Sequence, residues 1–244
     1  MFNPLSALRT LLLLSSLTLM ASGALAASSV LIWPINPTLS AEQKARPLWL
    51  ENQANVPATL QIRIFRWQQR DQGNDYQPQD DVLPSPPVVT IAPGDRQLVR
   101  LTLTGAAPGT GEDAYRILVD EIPDVASDRR PANSRVQFRM RYSVPLFVTS
   151  PAVPEDTERA DRSLNWEIVK EGGKRYLRIH NEGPVHVRLT RVHMDQVTLA
   201  EGLLGYVLAH ASRQWPLPDN VRAGQTLKAT VNAAEPVVLR HVGS

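Results

Sequence analysis

The sequence predicts an all-β protein that is built of two β-sandwich domains. Short segments in which apolar and polar residues alternate recur along the chain, whereas no long stretch shows the helical period of about 3.6 residues. The 244 residues also include 20 prolines and 13 glycines. This supply of edge and turn residues suits many short strands and argues against a helical bundle.

The first 26 residues are predicted to be a secretory signal peptide. Arg9 supplies a positive charge, an apolar run from Leu11 to Met20 follows it, and Ala24-Leu25-Ala26 fits the small-x-small rule for cleavage. The apolar run is too short for a good membrane span. We therefore expect cleavage near Ala26 and export. The absence of cysteine suits the bacterial periplasm better than a small secreted domain that depends on disulfides.

The first domain is predicted at residues 27–148, where several strand-like segments are separated by turn residues. Three of them are Leu60–Ile64, Leu98–Leu103 and Tyr115–Val119. The fourth, at residues 136–144, is long for a strand and strictly alternating. Its apolar or aromatic residues are Val136, Phe138, Met140, Tyr142 and Val144.

A linker is predicted at residues 149–163, because this stretch has two prolines, a charged run and little apolar content. The second domain, residues 164–244, contains a further set of strand-like segments. They are Trp166–Val169, Arg175–His180, Val185–Val192, Leu227–Val231 and Val237–Val242. A short echo relates the halves, since Leu48-x-Leu50-x-Asn52-x-Ala54 resembles Leu177-x-Ile179-x-Asn181-x-Gly183. Two related sandwiches are therefore expected.

Composition and motifs exclude several classes of function. The formal net charge of +2 gives no support for binding nucleic acid through bulk charge. Without cysteine, the chain has no thiolate metal site, iron–sulfur cluster or cysteine nucleophile. The sequence also lacks the G-x-S-x-G, H-E-x-x-H and phosphate-loop motifs. We therefore expect neither an enzyme nor a cofactor.

The histidines and the acidic pairs are predicted to be structural or solvated. His186 and His193 are seven residues apart, so on one strand they would face opposite sides, whereas metal ligands need a shared direction. The acidic pairs Asp80-Asp81, Glu112-Asp113 and Asp120-Glu121 fall at expected loops or strand ends. The sequence therefore predicts no metal site and no catalytic pair of carboxylates.

Residues 136–144 have two interpretations. As an ordinary strand, the segment buries its apolar face in its own core. As an edge strand, it pairs with a strand of another protein, and its alternate side chains fill pockets there. A long apolar edge is an aggregation hazard. The second interpretation therefore needs a cap, supplied by a partner or by self-association of the chain.

A resemblance to a known family favours the second interpretation. Five segments lie in a fixed order behind the signal peptide: Leu60–Trp67, Ser85–Gly94, Gln97–Leu101, Tyr115–Pro123 and Arg141–Val148. Together they resemble the periplasmic chaperones of chaperone–usher pilus assembly. Phe65-x-Trp67 and Tyr115-Arg116 are most similar to the archaic branch of that family.

The resemblance implies two immunoglobulin-like sandwiches in a boomerang arrangement with a cleft between them. It also implies that the strand before the linker is lent to a pilin subunit, whose incomplete sandwich lacks its last strand. By position this donor strand is Val136–Val144, with Val136, Phe138 and Met140 entering the subunit groove. An outer-membrane usher then exchanges the lent strand for the extension of the next subunit, and no nucleotide is required.

The better-known branch of that family binds the subunit's C-terminal carboxylate with two cations in the cleft. Asn36 and Pro145 stand at the aligned positions here, and neither is positive. Arg116 is the predicted replacement, since it lies in an otherwise apolar strand and a buried arginine requires an anion. Asn36 could add a neutral hydrogen bond.

Other assignments remain open for the arginines. Arg116 could instead form a structural ion pair with Asp113, Asp120 or Glu121. Lesser candidates for the carboxylate anchor are Arg100, Arg139 and Arg141. The alternative function is a self-sufficient two-domain binding or adhesin-like module, which needs no strand donation. A carbohydrate-active sandwich would need exposed aromatic residues, and aromatic residues make up only 6% of the chain.

Overall fold

The computed structural model describes residues 30–70, 73–122, 139–153, 160–219, 221 and 226–242. Within them, the strands before the linker are β1 (Val30–Trp33), β2 (Thr38–Ser40), β3 (Ala45–Asn52), β4 (Ala58–Arg70), β5 (Gly73–Gln77), β6 (Val82–Ser85), β7 (Val88–Ile91), β8 (Arg96–Leu103), β9 (Glu112–Ile122) and β10 (Arg141–Thr149). The strands after it are β11 (Leu164–Glu171), β12 (Lys174–Asn181), β13 (Val187–Met194), β14 (Val197–Val207), β15 (Ala211–Pro216), β16 (Leu227–Val231) and β17 (Pro236–His241). A short 3-10 helix, Ala160–Ser163, precedes β11. Among these residues, no helix is long and apolar enough to cross a membrane.

The first ten strands form a sandwich of two sheets. One sheet has the order β1-β3-β8-β6. The other has the order β2-β10-β9-β4, and β5 and β7 pair with different halves of the outer edge of β4. Alternate apolar residues of both sheets, such as Leu50, Val99, Ile62 and Ile117, meet in one core. Each fully buried side chain of this kind contributes about 1.5–3 kcal/mol to the free energy of folding.

The strands of the second domain follow one continuous path, β14-β13-β16-β17-β11-β12-β15. The path folds over at the parallel pair of β11 and β17, so that its two halves enclose a second core. Trp166 is fully buried at the centre of this core, and its indole N–H donates to the Leu239 carbonyl at 3.1 Å. The predicted all-β fold with two sandwich domains is confirmed.

The sequence echo between the halves corresponds to two buried asparagines with equivalent hydrogen bonds. Each accepts a bond from the N–H two residues later and donates to the carbonyl four residues later, at 3.0 and 2.8 Å for Asn52 and 2.9 and 2.7 Å for Asn181. Each also donates to a more distant carbonyl, that of Ile91 or of Leu208, at 3.0 Å. The side-chain amides thereby satisfy buried backbone groups in both domains.

Candidate functional site: an open strand edge beside the domain cleft

One edge of β10 is only partly paired. On one side, β9 pairs with β10 from Arg141 to Thr149. On the other side, β2 runs parallel to β10 and pairs only with Phe147–Thr149. Among the described residues, no strand pairs with this second edge between Arg141 and Leu146. An unpaired edge of this kind is a template for a further strand.

The backbone groups of β10 alternate between its two edges. The Met140 carbonyl accepts a hydrogen bond from the Glu121 N–H of β9 at 3.1 Å, so even-numbered residues face β9. The Phe147 N–H donates to the Pro37 carbonyl at 3.2 Å, so odd-numbered residues face the opposite edge.

The backbone N–H and C=O of Ser143 and the backbone C=O of Pro145 therefore point toward the open edge. Proline has no N–H, and at an outward position this removes no bond to β9. Ser143 offers both a donor and an acceptor to an added strand, whereas Pro145 offers only an acceptor. The ladder that β10 can form with another strand is consequently interrupted at Pro145.

The side chains of β10 differ in part from the predicted donor face. Val144 is buried in the core of its own domain, and Tyr142 packs against that core while its hydroxyl accepts the Val30 N–H at 3.0 Å. The expectation that these two side chains face a partner is therefore corrected. The physical reason is that the apolar alternation continues through Leu146 and Val148, which belong to the same core.

The N-terminal part of the predicted donor segment precedes β10. Met140 is 39% exposed and lies just before the strand, next to the exposed Arg139. Val136 and Phe138 lie outside the described residues. Their role as donor side chains remains a prediction.

Arg116 lies on the face of β9 that is turned away from the core. It stands in register between Phe65 of β4 and Pro145 of β10. Only 8% of the residue is exposed. Its guanidinium carbon lies 3.7 Å from the centroid of the Trp67 ring and 5.9 Å from that of Tyr206 in β14. Trp67 therefore forms an aromatic platform for a buried cation.

The described residues supply no carboxylate partner to Arg116. Asp120 pairs with Arg63 at 2.6 Å and also with Arg141, whereas Asp113 pairs with Arg66 at 3.3 Å. Glu121 forms no ion pair with Arg116 either among these residues. The alternative interpretation of Arg116, a structural ion pair with one of these three acids, is therefore not what the structure contains.

The surroundings of Arg116 disfavour an isolated positive charge. Burial lowers the pKa of its guanidinium, and the positive charge of Arg213 in β15 acts in the same direction, while Tyr76 and Tyr206 oppose the shift. The Arg116 Nε is buried without a hydrogen-bond partner. A carboxylate that entered this place would pair with a cation that lacks a counter-charge.

The fold does not place the three lesser candidates for the carboxylate anchor beside Arg116. Arg100 lies on β8 in the other sheet, where Pro47 and Ser85 flank it. Arg141 is already paired with Asp120, and Arg139 is exposed.

Asn36 lines a cavity of about 370 Å³ between the two domains. The cavity lies where β2 begins, so the open edge of β10 ends beside it. Phe147, His186 and Arg188 also line it. Sequence reasoning missed Arg188, because nothing in its local pattern on β13 indicates that it faces the first domain. A larger cavity of about 700 Å³, around His180 in the second domain, is lined entirely by residues of that domain.

The chain is similar in sequence to pilus-assembly proteins. The family model described as pili and flagellar-assembly chaperone, PapD N-terminal domain, matches residues 35–154. YhcA, an uncharacterized fimbrial chaperone of Escherichia coli (strain K12), is 28% identical over 136 residues, which are 54% of this chain and 55% of that protein. The match thus spans little more than half the length of that relative.

The structure is similar to solved chaperones. A chain of the CsuC–CsuE chaperone–tip adhesion subunit pre-assembly complex, from archaic chaperone–usher Csu pili of Acinetobacter baumannii, is 28% identical with a TM-score of 0.71. That match covers 88% of this chain and 99% of the other. A chain of the complex of SafA pilin with the SafB chaperone from Salmonella enterica shares the fold at 17% identity, with a TM-score of 0.67 over 87% and 96% of the two chains.

Proposed function

Because the family model of pilus-assembly chaperones matches residues 35–154, we propose that the chain is a chaperone of this kind, which binds pilin-type subunits by lending them a strand and delivers them to an outer-membrane usher. This family is non-enzymatic. The observation that carries the proposal is the open edge of β10, which ends beside Arg116, a buried cation that forms no ion pair among the described residues.

The edge favours a guest strand that runs parallel to β10. β2 occupies the same edge from Phe147 onward, so an added strand must end where β2 begins. Arg116 and Asn36 lie at this end, and a cation there attracts a terminal carboxylate but repels a terminal ammonium group. The C-terminus of the guest therefore lies at this end, which sets the parallel direction.

The carboxylate anchor combines groups of both domains. Arg213 is close enough to Arg116 for its charge to act on it, and its guanidinium donates to the Asn74 side chain at 2.5 Å. The charge of Arg116 is thus influenced by the Tyr76 hydroxyl and by a second guanidinium, and no ion pair joins Arg116 to an acid among the described residues. A carboxylate that binds there gains charge-assisted hydrogen bonds and neutralises two like charges.

The donor side chains supply the apolar part of the binding energy. We propose that Val136, Phe138 and Met140 fill the groove of the guest, and each such side chain contributes about 1.5–3 kcal/mol when it is fully buried. Met140 supports this role, because it is the exposed apolar residue that immediately precedes β10. The donor face therefore ends before Tyr142, where the side chains turn to the chain's own core.

The domain organisation and location belong to the same proposal. We propose that residues 1–26, which lie outside the described residues, are a signal peptide that directs the chain to the periplasm. Residues 27–148, 149–163 and 164–244 are proposed as the first domain, the linker and the second domain. The start of β11 at Leu164 supports the bound of the second domain, whereas β10 ends at Thr149, one residue beyond the proposed end of the first domain.

The test is a tagged purification from the periplasm of cells grown under biofilm conditions, followed by mass spectrometry. We expect a near-stoichiometric partner of pilin size that is lost with Phe138→Arg and kept with Leu83→Arg, an exposed apolar position on β6 in the other sheet. A clean monomer, despite confirmed expression of subunits, would overturn the proposal in favour of a stand-alone binding module.

A further inference from the structure

We propose that Met140 is a site of reversible oxidation by peroxides, and that its conversion to the sulfoxide weakens the binding of a guest. The oxidation is a property of the free protein. Only its consequence for a guest rests on the proposed function, in which Met140 fills part of the guest's groove.

Met140 is the exposed methionine of the described residues. The sequence has four methionines and no cysteine, so no thiol competes for an oxidant. Met1 and Met20 lie in the predicted signal peptide. Of the two methionines that the structure describes, Met140 is 39% exposed, whereas Met194 is 1% exposed and lies in the core of the second domain. An oxidant in solution therefore reaches the side chain of Met140 without any opening of the fold.

The backbone holds Met140 at the beginning of the open edge. Its carbonyl accepts a hydrogen bond from the Glu121 N–H of β9 at 3.1 Å. The next residue, Arg141, begins β10 and is paired with Asp120 of β9. The thioether is thus attached to a backbone that is bonded to β9, at the point where the partly paired edge of β10 starts.

The reaction is a two-electron oxidation of the thioether. A lone pair of the Met140 sulfur attacks one oxygen of hydrogen peroxide, so that an S–O bond forms and the O–O bond breaks. Proton transfer to the departing oxygen leaves the sulfoxide and one water molecule. The sulfur is oxidised and the peroxide is reduced. Methionine sulfoxide reductases return the sulfoxide to the thioether, which makes the modification reversible.

Oxidation converts an apolar donor side chain into a polar one. A thioether fills an apolar groove because it is unbranched and polarisable, whereas a sulfoxide brings a strong hydrogen-bond acceptor into that groove. Burying a polar group without a partner is costly, so the Kd of the guest should rise by roughly 5- to 150-fold. The fold should be unaffected, because Met140 belongs to neither of the two domain cores formed by the described residues.

The bound and the free protein should differ in their sensitivity to peroxide. A guest strand on the open edge covers Met140 and removes its side chain from solvent. Oxidation of Met140 in a complex should therefore be slower than in the free protein. The free protein is the form in which the modification occurs.

The site is tested on the free protein with hydrogen peroxide alone. Peptide mapping by mass spectrometry over a time course measures the gain of one oxygen atom at Met140 and at Met194. We expect Met140 to be oxidised at least about 10-fold faster, and methionine sulfoxide reductases A and B together to restore the thioether. Equal rates at the two methionines, in protein that circular dichroism shows to be folded, would overturn the site.

Two variants serve as controls for the site. Met194→Leu changes the buried methionine and should leave the rate of oxidation at Met140 unchanged. Met140→Leu removes the exposed thioether, so the described part of the chain should then show no fast oxidation. Fast oxidation at Met194 in folded Met140→Leu would contradict the selectivity.

The consequence is measured with the pilin-type subunit that the tagged purification recovers. Each protein is compared with itself before and after peroxide treatment, so that the effect of a substitution on binding cancels. We expect the Kd of the parent and of Met194→Leu to rise by roughly 5- to 150-fold and to recover after reductase treatment. The Kd of Met140→Leu should be the same before and after peroxide.

An unchanged Kd for the parent that is fully oxidised at Met140 would overturn the consequence for the guest. If no subunit is recovered, the proposed function fails. The peptide map still decides in that case whether Met140 is the oxidation site.

Discussion

Pro145 lies directly opposite Arg116 in the antiparallel pair of β9 and β10. The residue that lacks an N–H interrupts the hydrogen bonds that β10 can offer to a new strand. The buried guanidinium lies at the same level of the sheet. The backbone pairing of a guest strand with β10 would therefore end at Pro145, at the level of the sheet where Arg116 can bind the terminal carboxylate of the guest.

Replacing Arg116 should weaken binding of a subunit without weakening the fold. Arg116→Met removes a hydrogen-bonded charge, which is expected to cost about 1.5–3 kcal/mol of binding, or roughly 10- to 150-fold in Kd. The free energy of unfolding of the free protein should stay equal or rise, because a buried charge without an ion-pair partner among the described residues is replaced by an apolar side chain. Arg100→Met, in the other sheet, is the control. An unchanged Kd for Arg116→Met would place the anchor elsewhere.

The pattern of the sequence is sufficient to predict the all-β fold and the burial of Arg116. The alternation of apolar and polar residues predicts strands, because it shows directly which side chains are buried. Arg116 is recognisable in the sequence as a charged residue within an apolar strand. Alternation alone predicts the wrong environment for Val144, because it does not distinguish the core of the chain's own domain from the groove of a partner. The surroundings of Arg116 come from β4, β14 and β15, which only the folded chain brings together. Glu112 is expected to be solvated, but only 3% of its side chain is exposed, because it lies against His186, more than 70 residues away.

The two buried asparagines should be equally important for stability. Asn52→Ala and Asn181→Ala each leave buried backbone groups without partners, at about 1–3 kcal/mol per group. We expect each variant to lose at least about 2 kcal/mol of unfolding free energy, measured by urea denaturation. Asn36→Ala, at the cavity, should change it little. If either variant had the same urea midpoint as the parent, the matching hydrogen bonds of the two asparagines would differ in their contribution to stability.

Tyr115 should make the fold sensitive to alkaline pH. Burial raises the pKa of Tyr115 to about 12, the nearby Arg66 opposes the shift, and Asp113 adds to it. A tyrosine in the unfolded chain has a pKa of about 10. Its contribution to stability is therefore complete below about pH 10 and is lost as the pH rises toward 12. Tyr115→Phe should show a shallower alkaline loss of unfolding free energy than the parent, and parallel curves would contradict the shift.

Amide hydrogen exchange at Ser143 reports most directly whether a guest strand pairs with β10. The Ser143 N–H faces the open edge, whereas the Val144 N–H faces β9. In the free protein, Ser143 should exchange fast and Val144 slowly. In a complex with a pilin-type subunit, Ser143 should become protected, and Ser143→Pro should weaken the complex whereas Ser143→Ala should not. A stable complex in which the Ser143 amide exchanges as fast as in the free protein would contradict strand donation at this edge.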